Sequence, residues 1–247
     1  MAGVPGQKMR LIVGVNEFSG QISEMTISDT VQEIDDSVAQ TDDKEYISGQ
    51  EALTLASSGR WTGEEKAIDA ALTAALAETD LAAFSTDGDI YDICTFNKTS
   101  KSVNGSLPGR VNVSMGLRYT EGDRIRGKEL FRQEFDTTAA NTTLTGDIID
   151  LGAAQVAASR NLHVYYMNAE GGVSPLAIRI RASATRGGPY ATSRTINLPA
   201  AAINTDLAAR RPVRQASSYA LARYVRCEVD VSGANRSGEI VLIATNT

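Results

Sequence analysis

Alternation with a period of two is the feature that most constrains this 247-residue chain. Val111, Val113, Met115, Leu117 and Tyr119 fall on one side of an extended segment. Arg110, Asn112, Ser114, Gly116 and Arg118 fall on the other. Successive side chains of a strand point to opposite faces, so this pattern predicts a strand with one apolar side. The same period recurs at Leu162, Val164 and Tyr166, at Leu176, Ile178, Ile180 and Ala182, and at Val225, Cys227, Val229 and Val231. Residues 8–15, 20–34, 51–61, 89–96 and 128–135 read as further strands, and 240–244 is a short apolar run. Lys98 to Pro108 reads as a turn, and Glu121-Gly122-Asp123 as the turn of a hairpin. The expected fold is mainly β: a sandwich or barrel domain with one short α-helix, followed by a smaller all-β sandwich.

The helix is expected from Glu64 to Leu76. Thr62 and Glu65 have the spacing of a capping box, in which the Thr hydroxyl accepts from the Glu amide while the Glu side chain reaches back. Ile68, Leu72 and Leu76 recur every four residues and make one apolar face. Before it, an acidic arm is expected to form a loop from Asp29 to about Glu51, with 35–44 as its exposed tip, because that tip lacks an apolar period.

Charge divides the chain. Residues 1–150 carry 25 acidic and 13 basic side chains, a net of −12; residues 151–247 carry 5 acidic and 11 basic, a net of +6. All eleven bases of the second part are Arg. A break of this kind predicts parts with different surroundings. Residues 136–160 are rich in Thr, Ala and Asn, which suggests an assembly domain over 1–145, a linker over 146–160 and a sandwich over 161–247. The acidic first part disfavours tight nucleic-acid binding, because phosphate is repelled. No run of eighteen apolar residues is present, so no membrane-spanning helix is expected. Met1 to Gly6 lacks the basic and apolar regions of a signal peptide. The two cysteines, Cys94 and Cys227, do not suggest a disulfide framework.

Residue types that carry catalysis are sparse. His163 is the single histidine and is expected on a strand surface, opposite Leu162 and Val164. One His and two distant Cys make a metal site unexpected, and no phosphate-binding loop is present, so no cofactor, metal or catalytic residue is assigned. The acidic pairs Asp35-Asp36, Asp42-Asp43 and Glu64-Glu65 sit in a loop or at a helix start, where solvation or capping explains them. Arg210, Arg211 and Arg214 form a candidate basic docking surface, on which the acidic part of a neighbouring copy would set its register by charge.

Five segments now bear on family. Gly20–Glu24, the acidic arm, Tyr46–Gly49, Leu53–Trp61 and Ala67–Leu72, in that order, resemble the major tail (tail tube) proteins of long-tailed bacteriophages, over roughly 8–135. Leu176–Ala184 and Ala222–Val229 resemble the immunoglobulin-like or jelly-roll modules appended to phage structural proteins. The resemblance implies a structural virion protein, not an enzyme, made in the host cytoplasm. It implies hexameric rings that stack into a tube, contacts with other tail proteins, and DNA that passes without specific binding. The arm would reach another copy through Asp29, Glu33, Asp35, Asp36, Asp42, Asp43, Lys44, Glu45 and Tyr46. Two other readings are a trimeric capsid decoration protein and a carbohydrate-binding protein using Tyr165, Tyr190, Tyr219 or Tyr224.

Overall fold

A computed structural model describes residues 9–14, 16–17, 22–35, 46–61, 79–106, 110–138, 141–208 and 212–246. In chain order the strands are β1 (Arg10–Val13), β2 (Asn16–Glu17), β3 (Ile22–Asp35), β4 (Tyr46–Trp61), β5 (Thr79–Ser85), β6 (Ile90–Ser106), β7 (Arg110–Thr137) and β8 (Asn141–Thr145). They continue as β9 (Ile149–Asp150), β10 (Gln155–Glu170), β11 (Leu176–Ser183), β12 (Ala191–Leu198), β13 (Val213–Leu221), β14 (Tyr224–Ser232) and β15 (Arg236–Asn246). A helix, α1 (Ala200–Ala208), separates β12 from β13. The helix expected at 64–76 lies outside the described residues.

The fold is mainly β, as the alternation requires. The large sheet runs β13-β10-β15-β7-β6-β5-β1-β2, with β4 paired to β7 and β3 to β4; the small sheet runs β12-β11-β14-β8, with β9 also on β14. The two sheets pack as a sandwich. Leu162, Val164 and Tyr166 of β10, with Ile240 and Leu242 of β15, meet Ile178 and Ile180 of β11 and Val225, Cys227 and Val229 of β14. The large sheet also rolls upon itself. Ile12, Ala83, Tyr91 and Ile93 of β1, β5 and β6 pack on Tyr165, Met167, Val241 and Ile243. β10 and β15 are therefore covered on both faces, and Ile240 to Ile243 have no exposed surface. That is why 240–244 reads as a continuous apolar run and not as an alternation.

β7 organises the molecule. One edge pairs with β6 from Arg110 to Lys128. The other pairs with β4 over Val111–Arg118 and then with β15 over Gly127–Thr137. The hairpin turn expected at 121–123 is not there. Thr95 faces Glu121 and Ile93 faces Ile125, so β7 spends two more residues than β6 over this step, a bulge inside a continuous strand. Gly and Asp suit the irregular backbone of a bulge as well as that of a turn. The turn expected over 98–108 is also shorter than it reads, since pairing continues to Ser106 opposite Arg110.

The sheets run through the segment read as a linker: β9 falls within 146–160, β10 starts at Gln155, and β8 pairs with β14. α1, which the sequence reading does not anticipate, begins where the Pro199 carbonyl accepts the amides of Ala202 and Ile203. Its Ile203 is wholly buried in the sandwich.

Candidate assembly surfaces

The acidic arm is the first surface. The sequence predicts a loop from Asp29 to about Glu51, but the β3–β4 ladder runs through Asp29↔Leu53 and Val31↔Glu51 to Asp35↔Tyr46. The chemistry explains this: Thr30, Val31, Ile34 and Ile47 are β-branched and favour a pleated backbone despite the acids between them. β4 pairs with β7 only over Thr54–Trp61. Beyond that point β3 and β4 are a two-stranded ribbon, roughly 20 Å long at ~3.3 Å per residue. Asp29, Glu33 and Asp35 lie on its first strand, and Tyr46 begins its second. Asp36, Asp42, Asp43, Lys44 and Glu45 lie outside the described residues.

The second surface is the outward face of the small sheet. Glu228 of β14 is held by Arg181 (Nη2–Oε2 2.8 Å), Arg226 (Nη2–Oε1 3.1 Å) and Arg179 (Nε–Oε2 3.5 Å). Arg179 also donates to Asp230 at 2.7 Å, and Asp230 accepts from Thr143 of β8. The register brings these groups together, since Arg179 faces Glu228 and Arg181 faces Arg226 across the β11–β14 ladder. The Arg226 guanidinium lies 5.0 Å from the Tyr190 ring centre. At one end of this sheet Arg223 grips Asp150 with two bonds of 2.8 Å, which hold that carboxyl down at about 2.

The expected docking triplet is only partly placed. Arg214 is exposed on β13, opposite His163; Arg210 and Arg211 lie outside the described residues. His163 itself corrects an expectation. It is 3% exposed, on the side of β10 covered by the rolled sheet, with Nε2 3.4 Å from Thr245 Oγ1. Burial, with Arg214 adding to it, pushes its imidazole down to about 4. The tyrosines considered as a sugar platform are also spoken for. Tyr165 and Tyr219 are buried, while Arg226 and Arg223 lie over Tyr190 and Tyr224.

A buried charge cluster that the sequence reading does not anticipate closes the roll. Arg132 Nη1 lies 2.5 Å from Glu17 Oε2 and 2.7 Å from Glu239 Oε1, and its Nε lies 3.2 Å from Glu129 Oε2. Tyr91 donates to Glu129 at 2.8 Å and accepts from Arg132 at 3.0 Å. One guanidinium thus ties together β2, β6, β7 and β15. Burial, with Glu17 beside it, pushes the Glu239 carboxyl up to about 7 despite Arg132. Burial also raises Glu129. Each of the three carboxylates is engaged by the arginine, so the cluster acts as a clamp between strands.

No family model matches this chain, and neither does any curated protein. Solved structures do align with it. A chain from the virion of a native gene transfer agent particle matches at 13% identity over 47% of this chain and 94% of its own, with a TM-score of 0.40. A chain from the tail of an empty gene transfer agent particle, with C6 symmetry, matches at 13% over 49% of this chain and 96% of its own, TM-score 0.39. The SPP1 Dit (gp 19.1) protein, described as a hub of the adsorption apparatus of phages infecting Gram-positive bacteria, matches at 12% over 95% of this chain and 98% of its own, TM-score 0.33.

Proposed function

We propose that this chain is a structural virion protein that assembles with copies of itself into stacked hexameric rings of a phage-type tail tube. One observation carries the reading: the β3–β4 ribbon continues past its last pairing with β7. An isolated two-stranded ribbon is marginal in water, so it gains its order from a neighbour. Its acids keep the open β3 edge from pairing indiscriminately. The net charge of −12 over residues 1–150 suits the wall of a channel that passes DNA without retaining it. Other tail proteins would meet the ends of the stack, and the reading assigns the chain no reaction. Electron microscopy of the purified chain tests it. Rings and tubes are expected; monodisperse monomers at high concentration would overturn it.

A further inference from the structure

We propose that the outward face of the small sheet, along its β12 edge, is the surface that receives the acidic ribbon of a second copy. This inference rests on the self-assembly reading and names the receiving partner within it. Three independent observations meet here. The first is charge. Between Gly171 and Cys227 the sequence has nine Arg, no Lys and one acidic residue, Asp206. In the opposite sense, the described part of the ribbon, 29–35 and 46–51, carries Asp29, Glu33, Asp35 and Glu51 and no base.

The second is preorganisation. Arg179, Arg181 and Arg226 are about one-third exposed, and all three converge on the single carboxylate of Glu228. With Asp230 also on Arg179, two carboxylates face three guanidinium groups, so a net positive charge remains on this face. Glu228, Asp230 and Tyr190 hold the arginines in place, which reduces the ordering cost of docking. On β12 it is Thr195, opposite Arg179, that shares this face.

The third is the open edges. β12 pairs with β11 alone, and residues 191–195 are exposed, so a row of its amides and carbonyls is free among the described residues. β3 likewise pairs with β4 alone. Two such edges can join by strand addition, with the charges fixing the register. The groove of about 370 Å³ beside β7 suits the ribbon less, because Asp89, Glu129, Asp147 and Asp150 outnumber Lys128 and Arg132 in its lining. Ribbon and receiving face are different surfaces of one chain, so the contact is head-to-tail. Contacts of that kind close into rings or continue as filaments.

The test mixes two single-cysteine variants of the full chain, Glu33→Cys and Thr195→Cys, under mild oxidation. Native Cys94 and Cys227 are buried and do not compete. A cross-link is expected in the mixture at low salt and is lost near ~0.5 M salt, where screening is strong. In parallel, Arg179→Glu with Arg181→Glu should weaken self-association about tenfold or more. Glu33→Lys with Asp35→Lys should do the same, and combining the four changes should restore part of the loss. Circular dichroism and melting of each variant check folding. If the wild type assembles, and the cross-link is absent or the sheet variants assemble as well as it does, the receiving face is wrong and the assembly reading stands. If the wild type never associates, both fail.

Discussion

Arg132 is the residue on which the rolled sheet depends most. Its guanidinium binds carboxylates from three strands, and removing it would take from Glu17, Glu129 and Glu239 the cation they share. Arg132→Met should therefore cost about 3–5 kcal/mol, measured by denaturant unfolding, the range for breaking a buried pair by removing one partner. Arg132→Lys should recover little, since an ammonium cannot make several directed bonds at once. Near neutral pH, groups of opposite sign act: the raised carboxyls Glu239 and Glu129 against His163. The folded state raises Glu239 from 4.5 to about 7, so its contribution is fully present below 4.5 and is lost as pH rises through 7. The folded state depresses His163 from 6.5 to about 4, so its contribution is present above 6.5 and is lost as pH falls through 4. Between 4.5 and 6.5 the carboxyls and the imidazole oppose each other, so wild-type stability should change less than with either kind alone. Relative to the wild type, Glu239→Gln should shift toward lower stability on acidification in that window, and His163→Gln toward higher. Melting temperatures across the window decide this, and parallel curves for the two variants would contradict it.

At the scale of elements, the ribbon and β7 separate what a sequence reveals from what it hides. The alternation at 111–119 is legible because one residue in two faces the core; Leu117 is buried and Arg118 exposed, as read. The Arg132 cluster is not legible. Glu129 and Arg132 are three apart, which in a regular strand puts them on opposite faces. Phe131 faces Leu242 and Glu129 faces Ile243, so Leu130 is an extra residue, and this bulge returns the two charges to one face. His163 escaped for a related reason: alternation predicts one buried face, and the roll that buries the other depends on β1, β5 and β6, far away in sequence. In the arm, charge density hides a β-branched ladder. Because Thr30 faces Ala52, replacing residues 31–51 by Asn-Gly should close the hairpin with a two-residue turn. The shortened chain should keep its circular dichroism and melting temperature, since the sandwich and the roll do not include those residues. Loss of folding would mean that the ribbon belongs to the body.

At the scale of the molecule, a two-sheet sandwich with a rolled wing carries an acidic ribbon and an arginine-bearing face on different surfaces. In the proposed assembly such bodies would meet in one direction. The charge split of the sequence, −12 followed by +6, already carries this polarity. What the sequence does not reveal is where the positive part gathers. The β11–β14 register places Arg179, Arg181 and Arg226 around Glu228, a grouping unrelated to their linear spacing. The most direct test of self-assembly through the ribbon is the native mass of the full chain against concentration, beside the chain shortened by Asn-Gly at 31–51. The full chain should populate a six-copy species that grows into stacks, and the shortened chain should remain a monomer. A full chain that stays at one chain mass, or a shortened chain that assembles equally well, would contradict the account.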